Sequence, residues 1–179
     1  MTLRATASSL LCAATLALCA CGGMQPPGAA QAAPAQQHGS AGEASASLKV
    51  GGAVQKPRAL DLAALKSLPV SRETQDGRSY AGVDLWTLLN ADGGLAIPAA
   101  PRNAGLAYYV LATGSDGYLA VFSLSEIDPG MSDRKVLVAY EIDGVPLGRS
   151  GMVRLVVPGD RKRSRAVANL MALEVRSAR

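Results

Sequence analysis

The sequence predicts an α+β domain over residues 48–179, built of mixed β-sheets with short helices. Three observations predict it. Short apolar stretches of strand character recur, broken by Asp-Gly turns at Asp76-Gly77, Asp116-Gly117 and Asp143-Gly144. Aspartates at 61 and 84 stand where helix caps belong, each just ahead of a leucine-rich segment. Strands and helices mix irregularly, without repeated βαβ units, which argues against a doubly wound sheet.

The elements follow in order. Leu48–Val54 has strand character with a glycine pair inside it. Asp61 caps a helix over Leu62–Leu68, which Pro69 ends. Val70–Glu73 and Arg78–Ala81 flank the Asp76-Gly77 turn and read as a hairpin. Asp84 caps a second helix, Leu85–Ala91, with Leu85, Leu88 and Leu89 on one face. Asp92–Arg102, rich in Gly and Pro, is a loop. Leu106–Ala112 and Tyr118–Ser123 are strands around the Gly114–Gly117 turn. Leu124–Ile127 is a short helix closed by Pro129. Val136–Tyr140, Arg154–Val157 and Leu170–Arg176 are the last strands. The expected core is Leu85, Trp86, Leu88, Leu89, Val110, Leu111, Val121, Phe122, Val136, Val138, Leu155 and Val157. A domain of this length buries enough apolar area to fold without metal or disulfide.

Residues 1–20 read as a secretory signal: Arg4 supplies the positive start, Leu10–Leu18 the apolar run, and small residues the cleavage point. The apolar run is too short for a stable membrane span. Leu18-Cys19-Ala20-Cys21 resembles a bacterial lipobox, which implies lipidation of Cys21. No Asp follows Cys21 directly, so the resemblance implies an exported lipoprotein on the periplasmic face of a membrane, the outer one. Residues 21–47 are Ala, Gln, Pro, Gly and Ser with almost no large apolar side chain, the composition of a flexible tether.

The chain has three cysteines, Cys12, Cys19 and Cys21, and one histidine, His38, so the domain itself has neither residue type. That excludes an internal disulfide, a cysteine nucleophile and a thiolate or zinc site. It also excludes a serine–histidine–acid triad, because a histidine in a tether is not held beside a nucleophile. No Ca²⁺ loop, phosphate-binding GxxxxGK[ST] or dinucleotide GxGxxG motif occurs. The net charge is +4, and the excess sits after Arg149, with Arg154, Arg161, Lys162, Arg163, Arg165, Arg176 and Arg179 against Asp160 and Glu174. Such a balance suits an anionic partner. Nucleic acid is not expected for an exported chain with so few aromatics.

Three constellations remain: Tyr80–Leu89; Ser115-Asp116-Gly117-Tyr118 with the segment to Pro129; and Gly151–Asp160 with Arg165. Singly, each has a structural reading as strand end and helix cap, β-turn, or surface charge. In this order and spacing they resemble the sulfite-oxidase-type molybdopterin-binding domain, from about Leu48 to Val175. Further marks are Val50-Gly51-Gly52-Ala53-Val54, Val138-Ala139 ahead of Asp143-Gly144-Val145-Pro146-Leu147, and Arg154-Leu155-Val156-Val157-Pro158.

The resemblance implies mixed sheets around a pterin-phosphate pocket and molybdopterin as the cofactor. Arg154 and Arg165, with the Arg161-Lys162-Arg163 run, would hold phosphate by charge-assisted hydrogen bonds. Ser115, Asp116 and Tyr118 would line the rim. Arg154 opens an apolar strand, so its head projects from a rigid element; Arg165 follows a polar loop and is expected to be solvated. The family's molybdenum also takes a cysteine thiolate between the first helix and the Gly-Val-x-Leu segment. Val70–Ser79 has none, and Ser71 or Ser79 would be a harder, weaker ligand. Three readings of function follow. The first is a domain that binds a pterin or phosphorylated anion without molybdenum redox chemistry. The second is a periplasmic interaction or accessory module that has lost the cofactor, and the third an active molybdopterin-dependent oxidoreductase.

Overall fold

The computed structural model describes residues 45–100 and 103–179. The signal segment, Cys21, His38 and Arg102 lie outside them.

The chain runs through β1 (Leu48–Gly52), β2 (Arg58–Leu60), α1 (Leu62–Lys66), β3 (Ser71–Gln75), β4 (Arg78–Asp84) and α2 (Leu85–Asn90). It continues through β5 (Tyr108–Gly114), β6 (Leu119–Ser123), α3 (Leu124–Ile127), β7 (Leu137–Ile142), β8 (Val145–Pro146), β9 (Arg154–Val156) and β10 (Leu170–Ser177). One sheet has the order β2-β1-β10-β5-β6 and the other β3-β4-β7-β8, with β9 also on β7. Only β1 and β10 pair in parallel in the first sheet. The fold class is the expected α+β with mixed sheets.

Local chemistry explains the elements. Asp76 (φ 52°) and Gly77 (φ 74°) both adopt positive φ, the tight turn that suits the twist of β3 and β4. The Asp61 carboxylate accepts from Ala64 N at 2.8 Å, and Asp84 accepts from Thr87 N at 3.3 Å, capping α1 and α2. Arg58 has no local signature in the sequence. It donates to the carbonyls of Ala91 (2.9 Å) and Leu88 (2.8 Å), which closes the end of α2.

Both sheets feed one core. It joins Leu48, Val110, Phe122 and Leu173 of the first sheet to Val83, Val138 and Leu155 of the second, with Leu65 and Leu88 from the helices. Gly82 allows the second sheet to close: a Cβ there would stand 2.2 Å from the Val138 carbonyl oxygen. The β4–β7 register shifts between Ala81 and Gly82.

Several expectations need correction. Val121, placed in the core from sequence, is 51% exposed, while Phe122 is fully buried. A strand points neighbours to opposite faces, so an apolar pair cannot both face inward. Leu111 is half-buried for the same reason, and Trp86 packs at the core's edge. Helix α1 ends at Lys66, short of Leu68. Leu106 belongs to a 3-10 turn, Ala104–Ala107, and is 53% exposed. Strands β2 and β8 are too short to leave a periodic signature.

Candidate functional site

Sequence reasoning named Ser115, Asp116, Tyr118, Arg154 and Arg165. The structure sorts four of them into two places and puts Arg165 in neither.

The first is the end of the β5–β6 hairpin. Asp116 accepts from Tyr118 N at 2.9 Å, an Asx turn that shapes the loop. Ser115 Oγ accepts from Asn169 Nδ2 at 2.7 Å, and Asn169 Oδ1 accepts from Ser45 N at 3.1 Å. The Tyr118 hydroxyl donates to the Ser164 carbonyl. Asp116 and Tyr118 border a hollow of about 410 Å³ with Arg163 and Ser164. Arg163 donates to Asp76 at 2.5 Å.

Arg165 is not the solvated charge expected from its polar loop. Its Nε and Nη2 donate to Asp160 at 2.9 and 2.7 Å, and Nη1 to Glu126 at 2.6 Å. Arg134 joins the same carboxylates, at 2.8 Å to Asp160 and 3.5 Å to Glu126. The guanidinium also lies 5.2 Å from the Phe122 ring centroid. Its hydrogen bond from Arg165 holds the Asp160 carboxyl below the usual carboxylate range. The bonds to Asp160 and Glu126 in turn raise the affinity of Arg165 for its proton. Sequence could not show this, because Glu126, Arg134, Asp160 and Arg165 meet only in the fold.

The second place is the outer face of the second sheet. Strand alternation sends Leu155 into the main core and leaves Arg154 and Val156 on the other side. There Tyr80, Leu137, Ala139 and Val156 form a smaller buried cluster. Arg154 lies over the Tyr80 ring, 5.7 Å from its centroid. Its Nε is buried without a hydrogen-bond partner, and among the described residues no carboxylate pairs with it. Arg58, Arg78, Arg134, Arg163, Arg165 and Arg176 all have carboxylate partners. Glu73 stands opposite Tyr80 in the β3–β4 ladder and lines an open hollow of about 460 Å³. Arg134, Lys135 and Pro158 line it too. This volume lies in the range of small-molecule sites.

The donor set does not fit molybdenum. The β3–β4 hairpin has no cysteine or histidine. Among the described residues no group of three His, Cys, Asp or Glu side chains could hold a metal ion. What this face does offer is a guanidinium with one buried, partnerless donor, the Nε of Arg154.

The class defined by these sheets is an α+β fold of two sheets with short helices. Among solved structures, the chain is similar to the sulfane dehydrogenase SoxCD from Paracoccus pantotrophus, with TM-score 0.56 and 20% identity. The match covers 74% of this chain and 38% of that one, so this chain spans little more than a third of its length. No family model and no curated sequence matches the chain. At this identity the likeness is one of fold.

Proposed function

We propose that the domain binds an anionic, phosphate-bearing ligand of pterin type through Arg154 on the outer face of its second sheet, without molybdenum redox chemistry. The observation that carries this reading is the Arg154 guanidinium, with its Nε buried and partnerless over Tyr80. A buried polar group without a partner costs about 1–3 kcal/mol, more when charged, so the Arg154 head holds hydrogen-bonding capacity that the fold leaves unused. Arg165, neutralised by Asp160 and Glu126, is not part of this contact, and the Ser115–Tyr118 turn serves as scaffold. Cys21 would carry the lipid that holds the exported protein on a membrane.

The test is calorimetric titration with a phosphorylated pterin. Arg154→Ala is expected to weaken binding at least ~10-fold, the scale of one charge-assisted hydrogen bond. Arg176→Ala is expected to leave it unchanged, because Arg176 already pairs with Glu174 at 2.6 Å. Added salt should weaken binding, since exposed charges are screened over roughly 8 Å. Equal, negligible effects of both changes would refute the site.

A second reading, a non-catalytic interaction module, has one observation in its favour. Ser115, Asp116, Tyr118 and Arg165 all spend hydrogen-bonding capacity inside the fold.

A further inference from the structure

Sheet edges invite other strands, and proteins blunt them with charge, proline, shortness or cover. Three of the described edges here are blunted. Strand β2 has three residues and follows Pro57; β3 carries Arg72 and Glu73; β8 is two residues and ends in Pro146. The free side of β9 is covered by its own chain, through Leu155 N to the Val167 carbonyl at 2.8 Å. Strand β6 has none of these guards. It is Leu-Ala-Val-Phe-Ser, five residues without charge or proline at the end of the first sheet.

The register shows which of its backbone groups are free. Gly114 N donates to the Tyr118 carbonyl at 2.9 Å, so Gly114 and Tyr118 face each other as a bonded pair. In an antiparallel ladder bonded pairs alternate, which makes Ala112–Ala120 and Val110–Phe122 the next two. The N–H and C=O of Leu119 and Val121, and the N–H of Ser123, therefore point away from β5. Among the described residues nothing bonds them. The side chains of Leu119 and Val121 are 41% and 51% exposed on the outer sheet face.

We propose that β6 is a self-association edge, pairing antiparallel with β6 of a second copy about a two-fold axis at Val121. This register satisfies the free groups. Each Val121 N–H donates to the other copy's Val121 carbonyl, and each Ser123 N–H to the other copy's Leu119 carbonyl. The two Val121 side chains meet on one face, and an uncharged edge meets an uncharged edge. A two-fold axis makes the same patch serve both copies, so the assembly closes as a dimer. A five-residue strand is about 17 Å long, and its pairing buries on the order of a few hundred Å² per copy. A standard interface buries about 800 Å² per partner, so the dimer is a weak one that forms at high local concentration.

The test uses the full chain with Cys12, Cys19 and Cys21 changed to Ser. In the proposed register Val121 faces its own counterpart at a Cα separation of about 5.5 Å, within disulfide reach. Val121→Cys is expected to cross-link into a dimer under mild oxidation. Leu119→Cys is expected not to, because its counterpart lies about 13 Å away along the strand. Leu119→Cys mixed with Ser123→Cys is expected to cross-link. In sedimentation equilibrium, Val121→Lys is expected to weaken the dimer at least ~10-fold. Val145→Lys, at a residue 61% exposed on the other sheet, is expected to leave it unchanged. Both Val121 and Val145 are exposed, so neither change threatens the core. A monomer at every concentration up to about 1 mM overturns the proposal. Equal cross-linking of Val121→Cys and Leu119→Cys overturns it too.

Discussion

Replacing Arg165 with Met tests the ion network most directly. Met keeps an apolar stem against Phe122 and removes the guanidinium. Three charge-assisted hydrogen bonds are lost, two to Asp160 and one to Glu126. Each is worth about 1.5–3 kcal/mol net. The full sum overstates the loss, because Arg134 still reaches both carboxylates. Arg165 is also 30% exposed, so solvent screens part of the interaction. A loss of about 2–3 kcal/mol is the reasoned value. Unfolding entropy of about 2.1 cal/mol/K per residue then gives a fall of roughly 7–11 °C in melting temperature at pH 7. The pH dependence has a definite sign. Arg165 lowers the Asp160 pKa, so this stabilisation is full above the unfolded carboxylate value, about 3.9. It is lost as pH falls through the lower folded value. The gap between wild type and Arg165→Met should therefore stay constant from pH 7 to about 4 and narrow only below that. Thermal unfolding followed by circular dichroism at several pH values measures both. A gap under about 2 °C at pH 7, or one that stays constant to pH 3, refutes the reasoning.

Gly82→Ala is expected to destabilise the domain by more than about 3 kcal/mol, because its Cβ would stand 2.2 Å from a backbone oxygen in the β4–β7 ladder. Chemical denaturation checks it. Asp84→Ala should cost about 1 kcal/mol by removing the α2 cap, seen as a lower denaturation midpoint at unchanged slope. Cys21→Ser should leave the protein unprocessed or soluble, and membrane fractionation with N-terminal sequencing decides it. Chelator or reductant should leave the melting temperature unchanged, as read by differential scanning fluorimetry.

Local rules were legible in the sequence. The Asp61 and Asp84 caps, the Asp76-Gly77 and Asp143-Gly144 turns, and most strands follow from backbone chemistry within a few residues. The α+β class followed from their irregular order. The absence of cysteine and histidine from residues 48–179 closed whole classes of catalysis, since composition needs no geometry. Charge was legible as an excess after Arg149, but its use was not. Arg154 and Arg165 look alike in sequence, each a cation in a basic stretch. Tertiary structure placed Arg165 between Asp160 and Glu126 and left Arg154 over Tyr80 without a carboxylate. It also divided Val121 from Phe122, because only the sheet's position decides which side of a strand meets the core. Ion pairs and faces of a sheet are relations between segments distant in sequence. They arise when the core brings those segments together, and no local pattern encodes which of two like residues will find a partner.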